Sequence, residues 1–468
     1  MADGAALEGY WLPGISEAPA ERLEHEERAF GPGRVPIRVP VLTPRLLRSQ
    51  LSALRDGTDR LRAWRSARIV EVIGAASRRL VEPGSPLREH LVEVMPELTG
   101  YSRPMIEIGL ERMGDGWTAG ALRRALEGEL GSTEVLDEFR PRPGGGSCRA
   151  FGPALTFHVF SGNIPGVAVS SLIRALCVKS ASFGKTAAGE PYLAVCFCRA
   201  LAEEDAELAG CLAVSHWPGG STDLEAVALE EAEAVVVYGS DETVADIGAR
   251  VPPSTRLHAY PNRVGVAVVS RRALTSKAAP TLVRALASDV VMFDQQGCVS
   301  PHAIYVQRGG AVAPLELAER LADALVDLAE RIPRGPPSAG ESSLIHQLRA
   351  QAEMRGATVF ASQRGTDWTV ILEERSGFEP SPLNRVIQVH PIDDLSEALT
   401  LLRPVGRHLQ TVALAADPSE VGDLAGELGA VGATRIVAPG EAPWPRSDWH
   451  HDGRFQYLDL VRFVDLEA

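Results

Sequence analysis

The residue best suited to covalent chemistry is a cysteine in a short polar loop. Cys298 closes the run Phe293-Asp294-Gln295-Gln296-Gly297-Cys298, after an apolar helical stretch from Leu282 to Phe293. Ser300-Pro301 and an apolar strand, His302 to Val306, follow directly. Helix, tight loop, thiol and strand would hold a sulfur at the mouth of a cleft. Gly297 lets the backbone approach a substrate with no side chain in the way. A thiolate presented in this manner can take up an acyl group as a thioester. The other cysteines, Cys148, Cys177, Cys196, Cys198 and Cys211, are scattered. Cys196 and Cys198 form C-x-C in an apolar helical run with no second pair at zinc spacing, so burial is expected there rather than metal.

Three further stretches carry groups that could serve such a thiol. Ser161-Gly162-Asn163-Ile164-Pro165-Gly166 lies between a strand and a helix, where free backbone N–H groups favour a diphosphate. Asn163 could donate its amide N–H to a developing oxyanion. Alternatively the stretch is a plain strand-to-helix turn. Lys185 closes the short strand Ser182-Phe183-Gly184-Lys185-Thr186, where it could reach a ribose or phosphate, or be a solvated surface lysine. Gly239 and Ser240 end a strand before a helix, which suits either a phosphate or nicotinamide contact or a capped helix start. No G-x-G-x-x-G fingerprint is present.

These residues need elements to position them. Thr43-Pro44 and Ser85-Pro86 read as helix starts, and Leu46 to Leu130 keeps helical periodicity, for example at Leu61, Trp64, Ile69 and Ile73. From Leu155 the pattern alternates strand and helix: Leu155–Phe160, Val167–Cys177, Ala181–Gly184, Pro191–Ala202, Cys211–Ser215, Leu224–Glu231 and Ala234–Tyr238. Such alternation predicts a mostly parallel sheet that binds ligands beyond the carboxyl ends of its strands. Val264–Val269 is assigned to the end of this unit. A second α/β set follows the cysteine loop, with the Pro/Gly-rich stretch 333–340 as an internal linker. The fold class is therefore α/β: two α/β domains with parallel-sheet cores and a helical N-terminal layer. The expected division is an arm over residues 1–40, a cofactor-binding domain over 41–270 with a hairpin near 140–156, a catalytic domain over 271–440 and a C-terminal segment over 441–468. The hairpin and the C-terminal segment are candidate subunit contacts.

Bulk properties bound the function. The chain has 468 residues, 45% hydrophobic and 23% charged, ample for several cores. A net charge of −14 and a pI near 5.4 argue against a nucleic-acid or anionic-membrane partner. No secretory signal is visible at the start, and no apolar run is long enough to span a bilayer, so a cytoplasmic protein is expected. His450-His451-Asp452 is either a metal-ligand set or a hydrogen-bonded C-terminal feature at a subunit contact. The second is favoured because no matching ligand spacing occurs elsewhere. Trp444 and Trp449 beside it are expected to pack in a core or interface.

Taken together, these blocks resemble the aldehyde dehydrogenase superfamily, and within it the acyl-CoA reductase branch. That branch is the LuxC-type fatty acid reductase component of bacterial bioluminescence operons and its non-luminous relatives. The resemblance runs from about Thr43 to the C-terminus. It is carried by Ser161–Gly166, Phe293–Cys298, Ser381-Pro382-Leu383-Asn384-Arg385, His408-Leu409-Gln410-Thr411-Val412 and Trp449-His450-His451-Asp452-Gly453 with Asp459-Leu460-Val461-Arg462.

The resemblance implies that Cys298 is the catalytic thiol and that Asn163, with the Cys298 backbone N–H, forms the oxyanion hole. It implies that Lys185 contacts the adenosine ribose, and that Ser161, Gly239 and Ser240 lie in the cofactor site. Hydrolytic members carry a water-activating glutamate in Glu-Leu-Gly-Gly. Here the matching stretch is Ala259-Tyr260-Pro261-Asn262-Arg263-Val264-Gly265, without a carboxylate, which suits a reductase. The glutamate of Glu-Ile-Phe-Gly-Pro, which holds the nicotinamide ribose, is missing near Ser381-Pro382. Ala188 stands three residues past Lys185, where NAD-preferring relatives place a glutamate, so NADPH is the expected cofactor. The implied reaction is reduction of an activated acyl group, on CoA or on an acyl-donor protein such as a synthetase, to the aldehyde. A homo-oligomer is expected. The alternatives are a hydrolytic NAD(P)-dependent aldehyde dehydrogenase and a non-catalytic acyl-relay subunit.

Overall fold

The computed structural model describes residues 6–13, 15, 23–374 and 377–467. The chain opens on a small sheet of β1 (Leu7–Glu8), β2 (His25–Phe30) and β3 (Val35–Pro40), in the order β1-β3-β2. The arm expected over residues 1–40 is thus, where described, a folded unit. Alternation along Val35, Ile37 and Val39 was the available signal, and Ile37 and Val39 are buried. The backbone of Trp11 exchanges hydrogen bonds with Val214, and its indole N–H donates to the Ala209 carbonyl at 3.0 Å.

The helical layer comprises α1 (Pro44–Ala63), α2 (Ser66–Val81), α3 (Pro86–Thr99), α4 (Arg103–Trp117) and α5 (Ala119–Leu130). Thr43 caps α1 as its sequence predicts, its hydroxyl accepting the Leu46 N–H at 3.2 Å. Ser85 does not cap α3. It donates instead to the Arg79 carbonyl at 2.6 Å, while Pro86 still takes the first helical position. A hairpin of β4 (Arg140–Pro141) and β5 (Ser147–Phe151) leads into the first large sheet.

That unit runs β6 (Leu155–Val159), α6 (Val167–Cys177), β7 (Ala181–Thr186), α7 (Leu193–Glu204), α8 (Ala206–Ala209), β8 (Leu212–His216), α9 (Thr222–Glu231), β9 (Ala234–Tyr238), α10 (Asp241–Arg250) and β10 (Arg256–Tyr260). Its strands are parallel in the order β10-β9-β6-β7-β8. From β6 the chain first moves to β7 and β8, then crosses back to β9 and β10. The crevice between β6 and β9 is therefore a topological switch point, where open α/β sheets bind ligands.

The second unit runs β11 (Val264–Val269), α11 (Ala279–Val291), β12 (Pro301–Gln307), α12 (Pro314–Arg331), α13 (Ala339–Met354), β13 (Thr358–Ala361), β14 (Thr369–Leu372), β15 (Val386–Ile392), α14 (Leu395–Leu402), β16 (Leu409–Ala415), α15 (Pro418–Val431) and β17 (Arg435–Val437). Its sheet has the order β13-β14-β15-β12-β11-β16-β17, with β13 alone antiparallel to its neighbour. Here the sequence expectation fails for β11, which pairs with β12 and β16 rather than closing the first unit. An apolar strand carries no mark of which sheet it joins, and β16 lies far downstream. The change of sheet falls in Pro261-Asn262-Arg263. Finally, β18 (Arg462–Leu466) pairs antiparallel with β5. One continuous apolar core joins the helical layer, the first sheet and the inner face of the second. Among the described residues, no helix is long and apolar enough to cross a membrane.

Candidate active site

The cysteine loop leaves α11 through an unusual backbone. Phe293, Asp294 and Gln295 adopt φ of 50°, 49° and 66°, the left-handed region that disfavours residues with a Cβ by roughly 1–2 kcal/mol each. A second left-handed run, Leu383, Asn384 and Arg385 (φ 63°, 59° and 60°), holds the first in place. Arg385 Nε donates to Asp294 Oδ1 at 2.7 Å, and the Gly335 N–H donates to Oδ2 at 3.0 Å. The Asn384 N–H donates to the Asp294 carbonyl at 3.0 Å. Gln295 Nε2 donates to the carbonyls of Pro301 (2.7 Å) and Val386 (2.9 Å), while its Oε1 accepts the Val386 N–H at 2.9 Å. Burial pushes the Asp294 carboxyl up, and Arg385 pulls it back. Ser381–Arg385 is thus a clamp on the cysteine loop.

Beyond this clamp, Cys298 is half-buried and opens on a cavity of about 580 Å³. Trp117, Ile164, Phe293, Trp444, Trp449 and His451 are among its walls. Burial and the charge of Asp452 push the thiol up to about 11. Gln410, the residue's own N–H and Arg263 pull it the other way. Gln410 is fully buried on β16 and also donates to Asp452, whose carboxylate receives Arg263 Nε at 2.9 Å. The segment 259–265 therefore supplies a cation beside the thiol, and the nearby carboxylate is already committed.

Asn163 stands beside the turn into Gly297-Cys298. Its Nδ2 donates to the Gln296 carbonyl at 2.9 Å, and the Tyr101 hydroxyl donates to the Asn163 carbonyl at 2.5 Å. Gly166 has φ 90° and packs so closely on α4 that a Cβ would stand 2.4 Å from Met113 Sδ.

The other expected residues share the carboxyl edge of the first sheet. Lys185 is paired in register with Val159 at the end of β6, whose loop carries Ser161. Gly239 and Ser240 follow β9 on the other side of β6. Lys185 is only 8% exposed, and its ammonium lies 6.0 Å from the Trp217 ring centre. Among the described residues no carboxylate pairs with it, and burial pushes it down from the usual lysine range. Ser240 accepts the Thr243 N–H at 3.2 Å and so caps α10. Glu190, buried nearby in sequence, is occupied by the N–H groups of Tyr192 (2.9 Å) and Leu193 (2.7 Å). Ala188 carries no acceptor. A buried cation at the carboxyl edge of the sheet, one strand from the switch point, fits a dinucleotide phosphate or ribose.

Several residues of the thiol site were not assigned roles by sequence. Gln410, Arg263 and Asp452 come together only through the folding of β16, β11 and the C-terminal turn. Of His450-His451-Asp452, Asp452 is hydrogen-bonded to Arg263 and Gln410, as expected of a hydrogen-bonded C-terminal feature, while His451 joins Trp444 and Trp449 in the wall of the thiol cavity, a place the sequence did not indicate. Among the described residues no group of His, Cys, Asp and Glu could hold a metal ion. Cys196 and Cys198 are buried in α7, as expected.

The sequence pattern of the family described as acyl-CoA reductase (LuxC) matches residues 62–463. The chain belongs to that family. As a member of it the chain is an enzyme, an oxidoreductase acting on acyl thioesters. It is 25% identical over 391 residues to the long-chain acyl-protein thioester reductase of Aliivibrio fischeri, covering 81% of this chain and 78% of that one. Its fold is that of aldehyde dehydrogenases. Aldehyde dehydrogenase 21 from Physcomitrella patens superposes with a TM-score of 0.74 at 14% identity, covering 99% and 98% of the two chains. A glyceraldehyde-3-phosphate dehydrogenase from Methanocaldococcus jannaschii, complexed with NADP, gives 0.73 at 11% identity, covering 95% and 99%.

Proposed function

We propose that this acyl-CoA reductase converts a fatty acyl thioester, carried on CoA or on a donor protein, to the aldehyde through an acyl-Cys298 thioester. The observation that carries this reading is a half-buried thiol on a cavity with Trp117, Phe293, Trp444 and Trp449 in its walls, whose neighbouring carboxylate is tied to Arg263 and Gln410. Cys298 attacks the acyl carbon. The remaining amide hydrogen of Asn163 and the Cys298 N–H stabilise the oxyanion, and collapse expels the donor thiol. NADPH, when bound, would supply the hydride for reduction of the acyl carbonyl that Cys298 holds. Lys185 and the edge formed by Ser161, Gly239 and Ser240 would hold its phosphate and ribose groups. Ala188, with Glu190 occupied elsewhere, leaves room for a 2′-phosphate. With Asp452 engaged and no carboxylate in the segment 259–265, the water-activating glutamate of hydrolytic members has no counterpart there, which argues against acid formation.

We further infer a cytoplasmic enzyme with working units over residues 41–263 and 264–440. Copies of the chain would meet on the β4–β5–β18 sheet, where Phe463 and Leu466 are exposed.

The test is incubation with hexadecanoyl-CoA and NADPH, with aldehyde trapping and mass-spectrometric mapping of the acyl group. Label on Cys298, and its loss in Cys298→Ala, are expected. Label persisting in that variant would overturn the assignment, and a higher kcat/KM with NADH would overturn the cofactor preference.

A further inference from the structure

Among the described residues, four arginines line the thiol cavity, and three of them are accounted for. Arg112 pairs with Glu441 at 2.9 Å, Arg446 pairs with Asp448 at 2.8 Å, and Arg124 is exposed to solvent. Arg174 is different. It is half-buried, its Nη1 donates to the Tyr238 hydroxyl at 3.1 Å, and among the described residues no carboxylate pairs with it. Burial disfavours its charge, and Tyr238, Tyr260 and Tyr457 favour it, so the group remains a guanidinium. Tyr457 lines the same cavity, and among the described residues its hydroxyl makes no hydrogen bond. Burial keeps that hydroxyl protonated and able to donate.

The place of Arg174 along the cavity is set by α6. Gly166, Val167, Ser170, Ile173 and Arg174 all line it, a spacing that marks one helical face. Gly166 ends the turn that carries Asn163, and Arg174 stands ~12 Å of helical rise beyond it. The Ser170 hydroxyl on this face already accepts the Trp117 indole N–H at 2.8 Å. A cation left without a counter-ion in a cavity wall is costly unless a ligand completes it, and the guanidinium fork matches a carboxylate or a phosphate.

We propose that Arg174, with Tyr457, binds an oxyanion of the acyl donor while its thioester lies at Cys298. The oxyanion is a carboxylate at the far end of the acyl chain or a phosphate of the donor's pantetheine arm. The proposal rests on the reading of Cys298 given above. It adds that the donor is held by a charged end as well as by its reacting carbonyl.

The experiment is calorimetric binding to Cys298→Ala, which cannot take up the acyl group. The probes are decanoyl-CoA, decanoyl-N-acetylcysteamine, which carries neither phosphate nor carboxylate, and the N-acetylcysteamine monothioester of decanedioic acid. At least one anionic donor should bind more tightly than the neutral one. Arg174→Met, made in the same background, should weaken that donor ~10–100-fold, as for loss of a hydrogen bond to a charged group, and leave the neutral donor unchanged. A loss confined to decanoyl-CoA assigns the phosphate, and one confined to the decanedioyl donor assigns the carboxylate. Arg174→Lys, which keeps the charge without the fork, should restore part of the affinity. Equal weakening of all three donors overturns the proposal, since that marks a structural role only. Unchanged affinities, or no binding of any donor, overturn it as well. Release of thiol by the protein with Cys298 intact is measured beside this. Its absence with the binding pattern present sinks the reading of Cys298 alone.

Discussion

The two halves of the candidate site are built in opposite ways. The cofactor edge is local: each group sits at or just past the end of its own strand, ahead of the next helix, and needs only parallel registration. The thiol loop is non-local: Asp294 and Gln295 are fixed by Arg385 and Val386, 91 residues on, and Cys298 is tuned by Gln410 and Asp452 from later still. The edge keeps an unpaired cation ready for a ligand, whereas the loop commits nearly every polar group to holding two strained tripeptides together. Binding tolerates a site that completes itself around the ligand. Acyl transfer requires the sulfur to be in place beforehand.

Breaking the clamp should produce the largest effect. Arg385→Met leaves Asp294 buried without its ion partner and should destabilise the fold by ~3–5 kcal/mol, read by denaturant unfolding. Asn163→Ala should leave the melting temperature near that of the unsubstituted protein while lowering kcat ~10²–10³-fold. Lys185→Met probes the open edge. It should raise KM for NADPH by ~10–100-fold, as for loss of a hydrogen bond to a charged group, with little change in stability.

Asp289 ties the helix that leads into the cysteine loop to the segment beside the thiol cavity. On α11 it accepts the N–H groups of Gly440 (2.8 Å) and Ala442 (3.1 Å), and burial raises its carboxyl to about 7 from 3.8. A carboxyl raised by folding stabilises fully below about pH 4, and that contribution is lost as pH rises through about 7. Asp289→Asn should remove this component, at most ~1.4 kcal/mol per pH unit, from a stability–pH curve. Ser240→Ala should have the smallest effect, about 1 kcal/mol from the lost cap of α10, seen as a lower melting temperature.

The same contrast governs how much was legible in the sequence. The strand–turn–helix units around Ser161, Lys185 and Gly239 carry their own local signals, and their elements begin and end within a few residues of expectation. The family resemblance reached Cys298 and the block Ser381–Arg385, but not the reason for that block. Nothing in a linear pattern says that Arg385 neutralises Asp294, or that both run left-handed without glycine. Gln410, Arg263 and His451 were equally hidden, because their positions are set where β16, the entry to β11 and the C-terminal turn meet. The placement of β11 in the wrong unit has the same origin. Strand propensity is local, while sheet membership is decided by partners far along the chain.

The cavity in front of Cys298 takes part of its wall from helix α4 and part from Trp444, Trp449 and His451 near the far terminus. The thiol and the aromatic side chains that enclose it thus come from segments far apart in the chain, so the enclosure exists only once the segment after β17 has docked on α4.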